Sequence, residues 1–300
     1  MRELLHQFMN RQISRRSFGK GLAALGLSAA AVESVVQDLA LAQQPPPAGG
    51  VPFTGTGAEV LVETLQAAGV RRVFGTSATG MSAFFDAITL RPDMQMIISL
   101  AESQATSMAH GHELATGRTS VLIVPGVAVP STMNNLYNAW KDRSSILVLA
   151  DGTSNYFEGR NGFQQMDNWL ESMVAFTKWR WELRNERQIA EMIRRAIKVS
   201  ATPPGGPVHV RMSLDLLGMK NVKQTIYPQA LFSVPMEMRP RPELIEQTAR
   251  LLIEAKAPML CAGAEVTRAD AGDELVSLAE MVGAQVAQGY SVYNDFPFRH

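Results

Sequence analysis

A doubly wound α/β fold, a mainly parallel sheet with helices on both faces followed by an incomplete second α/β domain, is predicted by three features of this 300-residue sequence. Short apolar, β-rich runs recur at 71–75, 94–100, 119–124, 145–150 and 208–212, and helical periods separate most of them. Strands alternating with helices require right-handed crossovers, and these generate a parallel sheet covered on both sides. The rhythm then breaks at 224–242, a stretch with four prolines and little periodicity, and resumes beyond it.

Each element follows in order. Ser14-Arg15-Arg16-Ser17-Phe18-Gly19-Lys20 precedes an apolar run at 21–36 interrupted by Glu33, and Ala40 and Ala42 offer small residues at a cleavage spacing. This resembles a twin-arginine export signal over 1–42, and it implies a periplasmic or extracytoplasmic destination. The apolar run is too short for a permanent membrane span. Residues 43–55, with Pro45-Pro46-Pro47 and Gly49-Gly50, read as a linker. Thr56 and Glu59 have capping-box spacing, Val60, Leu61, Leu65 and Ala68 make one helical face, and Gly69 ends it. The domain so begun runs from 56 to 223, and 224–242 is a second linker. From 243 to 300 the pattern gives helix 243–255, strand 258–263, helix 271–282 and strand 284–288. Some sixty residues is too few for an ordinary doubly wound domain.

Composition excludes several function classes. Twenty-eight basic and 28 acidic residues balance, and no basic cluster suggests a nucleic-acid partner. The single cysteine, Cys261, has no disulfide partner, and its apolar run predicts a buried, inert thiol. His110 and His112 lie two apart in a helix and cannot converge on one metal. The glycine-bounded loop 75–80 lacks both the third glycine of a dinucleotide fingerprint and the lysine of a nucleotide P-loop. Ser131 belongs to no nucleophile triad. Trp179-Arg180-Trp181 reads as a half-buried strand, and Met94 and Met96 as core.

One carboxylate stands out. The strand at 94–100 runs straight into Ala101-Glu102 and a helix of small residues. In an open parallel sheet, ligands bind in the crevice beyond the strand ends, so Glu102 is a candidate for chemistry. An acid in the first helical turn also offsets the positive end of the helix dipole, and position alone leaves both readings open.

The residues then carry a resemblance. Gly69-Val70-Arg71-Arg72-Val73-Phe74-Gly75, then Glu102 with Ala105, Met108-Ala109, Gly111 and Thr116-Gly117, is similar to the N-terminal domain of thiamine-diphosphate enzymes of the acetolactate synthase, pyruvate oxidase and benzoylformate decarboxylase type. The likeness continues through Phe163-Gln164, Thr177-Lys178, Gly206-Pro207-Val208 and the opening of a middle domain at Ala257-Pro258 and Ala262-Gly263. It implies that Glu102 hydrogen-bonds a ring nitrogen of the cofactor's aminopyrimidine and activates it, with the loops bearing Thr76, Ser77 and Gly126 approaching the same group. Phe163 and Gln164 match a pair beside the family's substrate pocket. A 2-keto acid substrate, lyase or transferase chemistry and a homodimer or tetramer are implied in the same way.

Departures from the pattern qualify this. Ala101 and Ser103 replace the usual His and Gln around the glutamate; the 75–80 loop lacks a proline; Pro125, Val127, Pro130 and Ser131 replace family residues around Gly126. The family holds the cofactor's diphosphate through Mg²⁺ with a Gly-Asp-Gly segment and a following Asn in a C-terminal domain. Gly272-Asp273-Glu274 and Asp151-Gly152 do not match it. The chain thus reads as a pyrimidine-binding domain plus the first part of a middle domain, with no Mg²⁺ ligands and with the question of FAD in the middle domain left open. Three readings follow: the N-terminal part of an exported lyase or synthase, a non-catalytic scaffold subunit needing a partner chain for the Mg-diphosphate half, or an inactive fragment.

Overall fold

The computed structural model describes residues 4, 7–8, 12–29, 31–33, 35–36, 48–162, 165, 168, 170–233 and 239–300. They fall into two compact units, 1–49 and 50–300. In the first, helix α1 (Arg15–Ala24) is N-capped by Ser14, whose hydroxyl accepts the Ser17 N–H at 3.2 Å. Phe18 and Leu22 are enclosed, and the Phe18 ring stacks on Phe8 at 4.4 Å. Among the described residues no helix is long and apolar enough to cross a membrane.

The second unit opens with strand β1 (Val51–Gly55), which pairs antiparallel with β8 (Val222–Ile226). The sequence reading put 51–55 and 224–226 in linkers; their exposed, proline-bearing composition hides a two-strand ribbon that each forms only with the other. Helix α2 (Gly57–Ala67) follows. Its predicted capping box is complete: Thr56 Oγ1 accepts the Glu59 N–H, and Glu59 Oε2 accepts the Thr56 N–H at 2.6 Å.

Six strands form the main sheet: β2 (Arg72–Gly75), β3 (Gln95–Ile98), β4 (Ser120–Val124), β5 (Ile146–Gly152), β6 (Trp179–Leu183) and β7 (Val208–Ser213). Their order is β3-β2-β4-β5-β7-β6, and every pairing is parallel, as the α/β reading requires. Between them lie α3 (Ser82–Thr89), α4 (Glu102–Thr116), α5 (Met133–Lys141) and α6 (Ile189–Ala201), and α7 (Leu214–Gly218) follows β7.

Alternation along each strand divides the core. Val121 and Ile123 of β4 join Leu147, Leu149, Val208 and Val210 under α2, α3 and α6; Leu122 and Val124 join Ile146, Val148 and Ala150 under α4 and α5. Strands β4, β5 and β7 are buried along their whole length, while β3 and β6, at the edges, are not. Trp179 and Trp181 stack on one another at 6.0 Å on β6.

After α8 (Pro242–Glu254) come β9 (Met259–Ala262), α9 (Ala264–Arg268), α10 (Gly272–Val282) and β10 (Gln285–Gln288), with β9 and β10 parallel. Cys261 is exposed, contrary to its expected burial: β9 has a single strand beside it and little packed over it. Arg268 ties this region to the main sheet. Its guanidinium pairs with the buried Glu113 of α4 at 3.2 Å and donates to the Asp142 carbonyl at 3.0 Å.

Candidate functional site

The strand order reverses between β2 and β4: from β2 the chain steps outward to β3, then returns to add β4 on the opposite side. In doubly wound sheets the crevice outside the carboxyl ends at this switch point is where ligands bind. Glu102 follows β3, Thr76 follows β2 and Gly126 follows β4, so three separately predicted positions come to one end of the sheet.

Backbone bonds continue past the strands and fix these loops. The Ser99 N–H donates to the Gly75 carbonyl at 2.9 Å, and the Thr76 N–H to the Ile123 carbonyl at 3.2 Å. Gly75 must be glycine here, because a Cβ on it would lie 2.2 Å from the Ile123 carbonyl oxygen. Thr76 is thereby held in the crevice, 5% exposed, and its hydroxyl donates to Glu102 Oε1 at 3.1 Å.

Glu102 is the first residue of α4, and its N-cap, Ala101, offers no side-chain bond to the helix N-terminus. The carboxylate therefore sits at the positive end of the helix, as the dipole reading expects. Ser99 clamps the approach: its hydroxyl donates to the Ala101 carbonyl at 2.6 Å and accepts the Ala101 N–H at 3.2 Å. The Ser103 carbonyl accepts from Asn135 Nδ2 at 2.7 Å, fixing the first turn against α5.

Ser77 is exposed and adds no hydrogen bond among the described residues, so it stands apart from the Thr76–Glu102 contact. Gly126 is buried. Phe163 and Gln164 lie outside the described residues.

Asp151, set aside in the sequence reading, occupies the centre of this end of the sheet. It lies at the end of β5, 5% exposed, and accepts the Gly80 N–H on Oδ2 at 2.8 Å and the Gly126 N–H on Oδ1 at 2.6 Å. Burial pushes its carboxyl above the ordinary aspartate range, while the two N–H bonds and nearby Arg211 pull the other way. The signal in the sequence was an acid closing an otherwise apolar strand, a position that only a well-partnered carboxylate tolerates.

The two helix histidines point to different partners. His110 Nε2 approaches Asp142 Oδ2 at 3.1 Å as an ion-pair contact without hydrogen-bond alignment, and His112 Nδ1 lies 2.8 Å from the Ser120 hydroxyl. Among the described residues no group of three or more His, Cys, Asp or Glu side chains converges for a metal.

For an aminopyrimidine the donor set fits. Thr76 engages one carboxylate oxygen of Glu102, and Oε2 has no hydrogen-bond partner among the described residues, leaving an acceptor at the crevice for a ligand nitrogen. Thr76 fixes the carboxylate's rotation and the helix N-terminus favours its charge.

Residues 55–171 match the model of the thiamine pyrophosphate enzyme N-terminal TPP binding domain. Sulfoacetaldehyde acetyltransferase from Castellaniella defragrans is 29% identical over 248 residues, 82% of this chain and 40% of that protein. The acetolactate synthase large subunit from Buchnera aphidicola is 23% identical over 248 residues, 82% of this chain and 43% of that protein. Two solved structures share the fold. The 4-hydroxybenzoylformate decarboxylase of Rhodococcus jostii RHA1 matches with TM-score 0.73 and 24% identity, covering 82% of this chain and 46% of that one. Benzoylformate decarboxylase from Polynucleobacter necessarius matches with TM-score 0.75 and 18% identity, over 82% and 45%. The chain thus spans less than half the length of these relatives. Residues 55–171 thus correspond to a thiamine pyrophosphate enzyme N-terminal domain with acetolactate-synthase-like homologues.

Proposed function

We propose that the chain supplies the pyrimidine-activating half of a thiamine-diphosphate site, as the N-terminal part of a lyase or synthase acting on a 2-keto acid. The observation that carries this is Glu102, oriented by Thr76 at the switch-point crevice with its second oxygen available. When bound, thiamine diphosphate supplies a thiazolium that stabilises carbanions. The chain's own part is electrostatic. Glu102 would accept a hydrogen bond from the ring N–H that the aminopyrimidine carries in its imino tautomer, and Thr76 keeps the carboxylate oriented. The Gly75 and Gly126 backbones lie at the same end of the sheet as Glu102.

The diphosphate and its Mg²⁺ belong, on this reading, to a further domain or partner chain. The partial coverage of the relatives supports this, as does α8, in which no residue is buried. The exposed face of α8 also favours a second reading, in which the chain is a scaffold subunit that lends Glu102 to a partner. The N-terminal segment is read as an export signal of the twin-arginine type, supported by the Arg15-Arg16 context. Replacing both arginines with lysine should keep the protein in the cytoplasm, and unchanged export would reject that route.

Proton exchange at the thiazolium carbon tests the main reading, measured with the chain and a polypeptide carrying the diphosphate half. Glu102→Gln should slow exchange by at least ~100-fold, the usual weight of a positioned acid or base. An unchanged rate would remove Glu102 from the role.

A further inference from the structure

Among the described residues, Asp151 is the one buried acid at this end of the main sheet for which the proposed chemistry has no use. Its placement gives it a task. The residue ends β5, and its two oxygens are spent on two different loops: Gly80 belongs to the segment after β2, and Gly126 to the segment after β4. These loops flank the switch point, and the first of them carries Thr76, which holds Glu102. The fit is close. A Cβ at Gly80 would lie 2.4 Å from Asp151 Oδ2, so the loop reaches the carboxylate only because that position is glycine. On the opposite face of β5, a Cβ at Gly152 would meet the Arg211 guanidinium at 2.8–2.9 Å, and Arg211 pairs with Glu182 of β6.

A charged acceptor bridging two backbone donors is stronger than a neutral one and fixes direction as well as distance. Asn cannot replace it evenly: its amide nitrogen would face one of the two N–H donors. We propose that Asp151 is a positioning residue, a clasp that draws the loops after β2 and β4 together and so sets the place of Thr76 and the orientation of Glu102. Its significance for catalysis rests on the thiamine-diphosphate reading of Glu102; the clasp itself does not.

The test uses the chain without cofactor, so that the two ideas fail separately. Amide hydrogen exchange should be slow at Gly80 and Gly126 in the wild type. In Asp151→Asn it should quicken by about 10- to 100-fold at one or both, the range for losing a charge-assisted bond. The Glu102 side-chain carboxyl carbon resonance should shift in the same variant. It should stay in place in Ser200→Ala, which disrupts the buried Ser145–Ser200–Gly206 bonds at the opposite end of the sheet. If Asp151→Asn does not fold, Gly80→Ala forces the first loop off the carboxylate without touching its charge, and the same Glu102 shift is expected. Fast wild-type exchange at both glycines, or a Glu102 signal indifferent to the variants, overturns the clasp. A Glu102 signal that moves with Asp151→Asn but never responds to thiamine diphosphate leaves the clasp standing and removes the cofactor reading.

Discussion

The main sheet and the region after residue 242 are written in the same sequence idiom, apolar strands alternating with amphipathic helices, yet they pack differently. Strand β4 is buried at all five positions, whereas in β9 one residue of four is buried and in β10 none. Helix α6 buries eight of its residues; α8, equally long, buries none. A strand is enclosed only when it has neighbours on both sides and helices on both faces, and β4 has all of these. Pattern therefore reports what an element can do, and burial reports whether the rest of the layer is there to let it.

The largest test of that contrast is a pair of truncations. Leu122→Ala, in the fully buried β4, should cost ~2–5 kcal/mol of unfolding free energy, as cavities in closed cores do. Leu251→Ala, on the exposed face of α8, should cost under ~0.5 kcal/mol. Equal losses in urea titrations would erase the distinction.

Acid titration separates the regions next. His209 of β7 is fully enclosed, and burial lowers its pKa to about 4 from an ordinary 6.5. The unfolded chain then takes up the proton first, so this histidine weakens the fold only as the pH falls below about 6.5, by roughly 3 kcal/mol on reaching pH 4. His209→Leu should flatten that part of the stability curve, and a curve of unchanged slope would contradict the assignment.

A smaller effect concerns the tie between the regions. Arg268→Ala leaves Glu113 buried without its cation. The loss should be about 2–3 kcal/mol, below the ~3–5 kcal/mol of a wholly enclosed pair because Arg268 keeps some solvent. Exchange in β9 and β10 should quicken while β4 stays protected; equal protection throughout would mean that the tie does little.

How much of this was legible in the sequence depended on range. Thr56 and Glu59 announced their capping box because three residues separate the partners, and the strands of the main sheet declared themselves by apolar runs. Glu102 drew notice from its place at a strand end, but only the resemblance to a family gave it a role. The β1–β8 ribbon was not legible, because its paired residues lie between 167 (Gly55–Val222) and 175 (Val51–Ile226) positions apart, and each strand looks like linker alone. Cys261 was misjudged because an apolar run does not say how many strands will flank it. Asp151 was considered only against a Gly-Asp-Gly segment that it does not match; its partners, the backbone N–H groups of Gly80 and Gly126, carry no side-chain signature.

The most direct measurement is the carboxyl carbon resonance of Glu102 during titration with thiamine diphosphate and Mg²⁺ in the presence of the polypeptide that carries the diphosphate half. The account predicts that this signal moves and saturates, and that Glu102→Gln lowers affinity at least ~10-fold, as loss of a charge-assisted hydrogen bond should. A Glu102 signal that stays still, with equal affinity in the variant, would contradict it.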